Sequence, residues 1–165
     1  MMKKVYIDQT SNTCTAVFVR DAQVISAGAT IYSMPVKDKN SEYQRYAEEY
    51  DIHFIFDDHV PQLDFYTIPQ VDIFATDSAG GYIGSLGQST DLSSDAPICY
   101  IDRNRRCFRI AQNGREFISH AADWKTRLTP CTDVEFYASL SNARETHEFL
   151  DLTDLERSLQ NLTDG

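Results

Sequence analysis

Short runs of alternating apolar and polar residues are the clearest pattern in this chain, and they concentrate between residues 71 and 111. Residues 71–87 contain an alternating run, an Asp-Ser-Ala-Gly-Gly turn and a second alternating run, which together predict a β-hairpin. Residues 97–101 and 107–111 repeat this pattern around an Asp-Arg-Asn-Arg-Arg turn. Both sides of the run at 71–76 are largely apolar, so we expect a central strand that is covered on both faces.

A helix is predicted directly after the second hairpin. Asn113, with Glu116 three residues later, forms a capping-box pattern. Apolar residues then recur at i, i+4, i+7 and i+11, the spacing of a helix that lays one stripe on a sheet. They are Phe117, Ala121, Trp124 and Leu128. Two hairpins and this helix form a unit that can bury one face of a sheet, and we expect the rest of the chain to be built around it.

A second helix is predicted over residues 41–50, with Ser41 as its N-terminal cap. Its apolar stripe is Tyr43, Tyr46, Ala47 and Tyr50. Tyrosine is enriched at the centres of protein interfaces, so the stripe is a candidate binding face. Packing on the protein's own sheet is the commoner arrangement for such a stripe, and it is the one we expect.

The remaining elements complete the predicted fold class. Further strands are predicted at 4–7, 13–19, 29–34, 52–56, 63–67 and 132–140, and helical segments at 141–150 and from Thr153 onward. A chain of 165 residues with 42% hydrophobic residues suits one globular domain. We therefore predict a single α+β domain over residues 1–165, in which helices pack on an antiparallel, hairpin-rich central sheet of about six strands.

The cysteine pattern and the lack of long apolar runs bear on location. The four cysteines contain no Cys-x-x-Cys pair, which is typical of reduced thiols in a cytoplasmic protein. They are Cys14, Cys99, Cys107 and Cys131. The residues before Asp8 include too few apolar positions for a secretion signal, and no apolar run approaches membrane-spanning length. We expect a cytoplasmic protein that has no membrane partner.

The chain is strongly acidic, with a formal net charge of -10. Five arginines lie between residues 103 and 115 with no acid among them, so the other ten basic residues stand against 25 acidic ones. These arginines are Arg103, Arg105, Arg106, Arg109 and Arg115. Nucleic-acid binding depends mainly on neutralising phosphates, so this balance argues against a nucleic-acid partner and favours a basic protein partner.

One cluster invites an enzymatic hypothesis. Asp57, Asp58 and His59 follow a predicted strand, and with Asp77 or His53 they offer the ligand types of a divalent metal site. A solvated turn is the commoner explanation of this composition, and we expect no metal. The glycines around residue 80 do not form a phosphate loop, because no Gly-Lys-Ser/Thr ending follows them. No nucleophile and base stand out together, so we expect no catalytic residues and no cofactor.

Residues 71–124 resemble the SUKH superfamily of Smi/Knr-like proteins in the order and spacing of their motifs. An aromatic strand leads into a Gly-Gly turn, a proline opens a strand that ends Ile-Asp, and an apolar strand precedes a helix that begins near Glu-Phe-Ile. The matching residues are Ile73, Phe74, Ala75, Asp77, Gly80, Gly81, Tyr82, Pro97, Tyr100, Ile101, Asp102, Ile110, Ala111, Glu116, Phe117 and Ile118. Residues 1–60 show no clear version of the helix and Leu-Pro-x-x-Tyr segment with which such proteins open.

The resemblance implies a function. SUKH proteins include bacterial immunity proteins, which bind and neutralise toxins, and fungal cell-wall regulators, and they lack catalytic residues. We therefore expect a non-enzymatic module that neutralises a cognate toxin with a basic surface, such as a nuclease, through an acidic surface. The candidate partner-binding residues are Asp57, Asp58, Asp91 and Asp95. A regulatory or scaffold protein of the cell-wall-regulator type, and a metal-dependent hydrolase that uses Asp57, Asp58 and His59, are the alternatives.

Overall fold

The computed structural model describes residues 3–10, 22–87 and 95–149, and these contain eleven strands and three α-helices. The strands are β1 (Lys3–Asp8), β2 (Ala22–Ala27), β3 (Ala29–Ile31), β4 (His53–Phe54), β5 (Tyr66–Ile68), β6 (Val71–Thr76), β7 (Tyr82–Leu86), β8 (Ile98–Ile101), β9 (Cys107–Ala111), β10 (Thr129–Pro130) and β11 (Glu135–Tyr137). The helices are α1 (Ser41–Tyr50), α2 (Gly114–Ser119) and α3 (Leu140–Arg144), and 3₁₀ segments lie at Val36–Asp38 and Ala121–Thr126. The predicted strand at 13–19 and the predicted helix from Thr153 lie outside the described residues. No helix within the described ranges is both long and apolar enough to cross a membrane.

The central sheet has seven strands, and five of them follow the order β10-β9-β8-β7-β6. The remaining edge of β6 is shared, because β3 pairs with its first half in parallel and β4 pairs with its second half antiparallel. The two predicted hairpins are β6–β7 and β8–β9, and the α+β class is confirmed. The sheet is nevertheless mixed rather than purely antiparallel. The connection from β3 to β6 contains α1, and a long crossover of this kind allows two strands to run parallel.

Apolar clusters cover both faces of this sheet, as predicted for residues 71–76. On one face Phe74, Ala75, Ile98 and Tyr100 pack with α2 and the following 3₁₀ segment. On the other face Val71, Ile73, Cys99 and Ile101 pack with residues that flank β5 and β11. The register of β6 against β7 shifts between Ile73 and Ala75, and this irregularity places the consecutive residues Phe74 and Ala75 in the same cluster.

Two small sheets lie beside the central one. β1 pairs with β2 in parallel, and β5 pairs with β11 antiparallel. Gly28 separates β2 from β3 with a φ of 118°, and its N–H donates to the carbonyl of Thr67 over 2.7 Å. The positive φ at this bend favours glycine, and an added Cβ would also contact the side-chain methyl group of Thr10. Strand β2 was not predicted from the sequence.

The helices differ in detail from their predictions. The side chain that caps α1 belongs to Asn40 and not to Ser41; its Oδ1 accepts from the N–H groups of Glu42 and Tyr43. Asn113 caps α2 as predicted, accepting the N–H of Glu116 over 2.8 Å. The predicted helix through residue 128 instead ends at Ser119 and continues as a 3₁₀ segment. Its stripe is therefore buried only at Phe117, Ala121 and Trp124, and Leu128 is exposed.

A buried polar cluster lies where the central sheet meets the small sheets. Asp72 on β6 is 2% exposed, and its Oδ1 accepts from Thr30 Oγ1 and, over 2.7 Å, from Gln70 Nε2. Asp72 Oδ2 and Gln70 Oε1 are also buried, and neither has a hydrogen-bond partner within the described part of the chain. Burial raises the pKa of Asp72, although the hydrogen bonds from Thr30 and Gln70 act in the opposite direction. Asp72 therefore favours the protonated form more than an ordinary aspartate does.

Candidate protein-binding surface

An open aromatic groove runs between α1 and β4. The ring of Tyr43 on α1 packs edge-on against Phe54 and Phe56, with ring centroids 5.2 Å and 5.5 Å away. The groove has a volume of about 470 Å³ and is lined by Lys39, Asn40, Tyr43, Gln44, Ala47, His53, Phe54 and Phe56. Tyr43, Gln44 and Ala47 of α1 lie three, four and seven residues after the capping residue Asn40, so one face of the helix forms one wall of the groove. This groove is the first component of the candidate surface.

The tyrosine stripe of α1 is only partly used in the core. Tyr46 and Tyr50 are half-buried against the cluster on the α2 face of the sheet, as expected for a packing stripe. No residue of α1 is fully buried, however, and Tyr43 and Ala47 remain on the open groove. The stripe therefore combines the two arrangements considered from the sequence, packing on the sheet and an accessible binding face. Tyr46 and Tyr50 reach the sheet, while the side of the helix that carries Tyr43 and Ala47 stays accessible.

A smaller apolar cavity lies on the other side of Tyr43 and Phe54. It has a volume of about 180 Å³ and is lined by Tyr32, Met34, Tyr43, Tyr46, Phe54, Phe74 and Ile118. Among these lining residues Tyr32 and Ile118 are exposed large hydrophobic residues, at 42% and 37% exposure. Tyr32 and Met34 follow β3, and the other lining residues come from α1, β4, β6 and α2. We call this recess the anchor cavity.

Acidic side chains outnumber basic ones in this region. Residues 36–59, which supply most of the groove, contain seven acidic and three basic residues. A hydrogen bond from Lys39 lowers the pKa of Asp58, and one from Arg45 lowers the pKa of Glu42, so both carboxylates are charged at neutral pH. Lys39 is held at the groove, with its Nζ 2.6 Å from Asp58 Oδ2 and 5.2 Å from the ring centre of Phe56. The surface thus already binds one cation of its own chain.

The predicted partner-binding acids fall at two places. Asp57 and Asp58 are exposed in the turn after β4, next to the groove, where Asp57 accepts from Ser33 Oγ. Asp95 is exposed just before β8, at the start of a strand that pairs with β7 and β9 rather than with β4. Asp91 lies outside the described residues. Asp57 and Asp58 therefore belong with the groove, whereas Asp95 lies before the start of a different strand, β8.

The residues considered as metal ligands each bond to a different group of the protein. Asp77 is buried and accepts from Gly81 N–H and from Tyr100 Oη, each over 2.7 Å. His53 Nε2 lies 2.8 Å from Asp51 Oδ1, and Asp58 pairs with Lys39. Among the residues that the structure describes, no three His, Cys, Asp or Glu side chains are grouped so that they could hold a metal ion.

Three of the residues that carry the SUKH resemblance, Gly81, Tyr100 and Asp102, make contacts that shape the hairpin turns. A side chain at Gly81 would overlap the ring of Tyr100, so glycine is needed there for close approach. Burial and the hydrogen bond to Asp77 raise the pKa of Tyr100. Asp102 accepts from Asn104 N–H over 2.9 Å and Arg106 N–H over 2.8 Å, which closes the β8–β9 turn. These motif residues build the two hairpins.

The arginine-rich tip is partly neutralised by its neighbours. Arg105 pairs with Asp64 and lies 4.5 Å from the ring centre of Phe65, and Arg106 Nε lies 2.7 Å from Asp102 Oδ2. Tyr100 on β8 is buried at 7% exposure with its hydroxyl bonded to Asp77, so it has no free face on which a nucleobase could stack.

The anchor cavity could not be found from the sequence, because its lining spans residues 32 to 118. The only sequence signal that pointed to it was the tyrosine stripe of α1. No protein-family model, no curated protein and no solved structure matches this chain.

Proposed function

We propose that this chain is a non-enzymatic protein-binding module, specifically an immunity protein that binds and neutralises a cognate bacterial toxin with a basic surface. The observation that carries the proposal is the aromatic groove between α1 and β4, bordered by the exposed carboxylates of Asp57 and Asp58. Aromatic residues are the side chains most often responsible for affinity at protein interfaces, and the surrounding negative charge selects a basic partner.

The net charge supports the choice of partner class. A nuclease toxin needs a basic groove for its phosphate substrate, and a chain with a net charge of -10 can approach that groove by long-range attraction. The resemblance of residues 71–124 to SUKH proteins supports the same proposal. The free cysteines Cys99, Cys107 and Cys131 are consistent with a cytoplasmic site of action.

The experiment is a binding assay with the toxin domain encoded nearest to this gene, performed at low and high salt. We expect binding that removes toxicity and whose association rate falls as salt screens the charges. The double variant Asp57→Asn, Asp58→Asn should associate about tenfold more slowly at low salt and show a weaker salt dependence.

The matched control changes the same number of charges elsewhere. Asp133→Asn with Glu145→Gln alters two exposed acids outside the groove, and its association rate should stay within about twofold of the unaltered protein. Equal slowing by both double variants would show that only net charge matters and would remove Asp57 and Asp58 from the interface. Failure to bind or neutralise the toxin would overturn the immunity function and favour a regulatory or scaffold protein.

A further inference from the structure

The anchor cavity is an apolar recess in a charged surface. Its volume of about 180 Å³ exceeds that of an engineered apolar cavity of about 150 Å³ that binds benzene, so a phenyl or isobutyl group fits. The walls are aromatic rings and aliphatic chains, with phenolic hydroxyls as the only side-chain polar groups. Water in such a recess has few hydrogen-bond partners, so its replacement by an apolar group is favourable.

The mouth of the cavity is open. Tyr32 and Ile118 are both among the cavity-lining residues, and both are substantially exposed, so an incoming side chain does not have to open the core to enter. The deeper wall is firm, because Phe74 is 4% exposed and packs against Phe54 and Phe117 at centroid distances of 6.1 Å and 5.8 Å. A preformed apolar recess of this kind is the usual setting of an interface hot spot.

The charges near the cavity indicate which residues of the partner should flank the side chain that enters the cavity. Arg45 lies over the ring of Tyr46, which lines the cavity, at 5.4 Å from the ring centre. Arg45 is paired with both Glu42 and Glu49, so two acidic side chains stand against one basic side chain on this side of the cavity. Lys39, in the adjoining groove, is already paired with Asp58. A segment that enters from this side therefore meets a net negative surface, which favours lysine or arginine next to the apolar residue.

We infer, resting on the proposed function, that the partner docks by inserting one phenylalanine or leucine side chain into the anchor cavity from a segment whose neighbouring residues are lysine or arginine. The groove then receives a flanking cation over Phe56 or Tyr43, as it now receives Lys39. The apolar side chain supplies affinity and the cations supply orientation and association rate.

A first test uses short peptides and the free protein. Acetyl-Lys-Phe-Lys-amide should shift the NMR resonances of Ile118 and Phe74, whereas acetyl-Lys-Ala-Lys-amide and acetyl-Glu-Phe-Glu-amide should bind at least about fivefold more weakly. Ile118→Trp places a large ring at the mouth and should abolish the shifts. Leu128→Trp is the matched control, because Leu128 is 38% exposed and does not line the cavity. Equal binding of all three peptides, or no shifts at the cavity, would overturn the inference.

A second test uses the cognate toxin domain and separates this inference from the proposed function. Ile118→Trp should weaken toxin binding by about tenfold or more, and Leu128→Trp should leave it within about twofold. If the toxin binds Ile118→Trp as tightly as the unaltered protein, the anchor is wrong although the immunity function stands. If the toxin does not bind at all but the peptide binds in the cavity, the proposed function fails and the anchor site stands for a different basic partner.

Discussion

Replacing Asp72 by asparagine is expected to stabilise this protein above neutral pH. Asp72 is buried, and no charged side chain contributes to the shift of its pKa; burial is the largest cause, and its hydrogen bonds come from the neutral side chains of Thr30 and Gln70. Its Oδ2 and the Oε1 of Gln70 are two buried acceptors without donors among the described residues. An asparagine at this position keeps an oxygen for the two existing donors and replaces the acceptor Oδ2 by an N–H donor, the type of group that the buried Gln70 Oε1 lacks.

The size of the effect follows from these contacts. One new buried hydrogen bond contributes about 0.5–1.5 kcal/mol, and the orphaned acceptor that disappears costs about 1–3 kcal/mol. Partial adjustment of the cluster reduces the sum, so we expect the free energy of unfolding of Asp72→Asn at pH 8 to exceed that of the unaltered protein by about 1–2 kcal/mol.

The pH dependence has a definite sign. The pKa of Asp72 is raised on folding, so its contribution to stability is fully present below the unfolded-state pKa near 3.8 and is lost as pH rises through the folded-state pKa. The advantage of Asp72→Asn should therefore be small near pH 4 and largest at pH 8. Urea unfolding of both proteins at several pH values measures this difference directly, provided the m-value is unchanged.

Asp102→Asn is the control of opposite sign. Hydrogen bonds from Arg106 and Asn104 lower the pKa of Asp102 in spite of its burial, so this substitution should lower stability at pH 8. A loss of stability at pH 8 in Asp72→Asn as well, or a stability difference that does not change between pH 4 and pH 8, would contradict this prediction. It would mean that Asp72 is ionised in the folded protein and stabilised by a group bound to Oδ2.

Three further substitutions test the backbone next to β7 and the C-terminal end of α1. Gly81→Ala should lower the free energy of unfolding by about 2–4 kcal/mol, because the added carbon overlaps the Tyr100 ring and breaks the hydrogen bond from Tyr100 to Asp77. Gly87→Ala is the comparison: no atom lies within 4 Å of the added carbon, but φ is 95°, so backbone strain alone should cost about 1–2 kcal/mol. Asp51→Asn keeps the left-handed backbone but removes the charge that Lys125 and Ser78 bind. Although burial opposes it, these contacts hold the pKa of Asp51 far below its usual range, so the variant should lose about 1–2 kcal/mol above pH 4, and the loss should shrink as pH falls. Thermal melts at pH 7 and pH 3 check both predictions; an unchanged melting temperature in Gly81→Ala, or a pH-independent loss in Asp51→Asn, would contradict them.

The carboxylates of the candidate surface were visible in the sequence, but their neighbours were not. Asp57 and Asp58 follow an apolar run and precede a proline, and this local pattern is enough to predict an exposed turn. Their position beside an aromatic groove depends on the pairing of β4 with the end of β6, more than twenty residues later in the chain. No local pattern specifies that pairing.

The elements that could be predicted from the sequence are those whose contacts are local. The β6–β7 and β8–β9 hairpins and the Asn113 cap were predicted correctly because turn residues, period-two alternation and capping all act within a few residues. The two apolar sides of β6 likewise predicted its central position.

The other features depend on contacts between distant segments. The parallel pairing of β3 with β6 and the bend at Gly28 depend on contacts between segments about 40 residues apart, and β2 depends on its pairing with β1, 19 residues earlier in the chain. The cost of closing such loops changes little with their length, so side-chain packing selects the partner. The anchor cavity has the same origin, because Tyr32, Tyr43, Phe74 and Ile118 meet only when β3, α1, β6 and α2 are in place. A strand or helix can be specified by neighbouring residues, whereas a recess is specified by the gap that remains when separate elements pack.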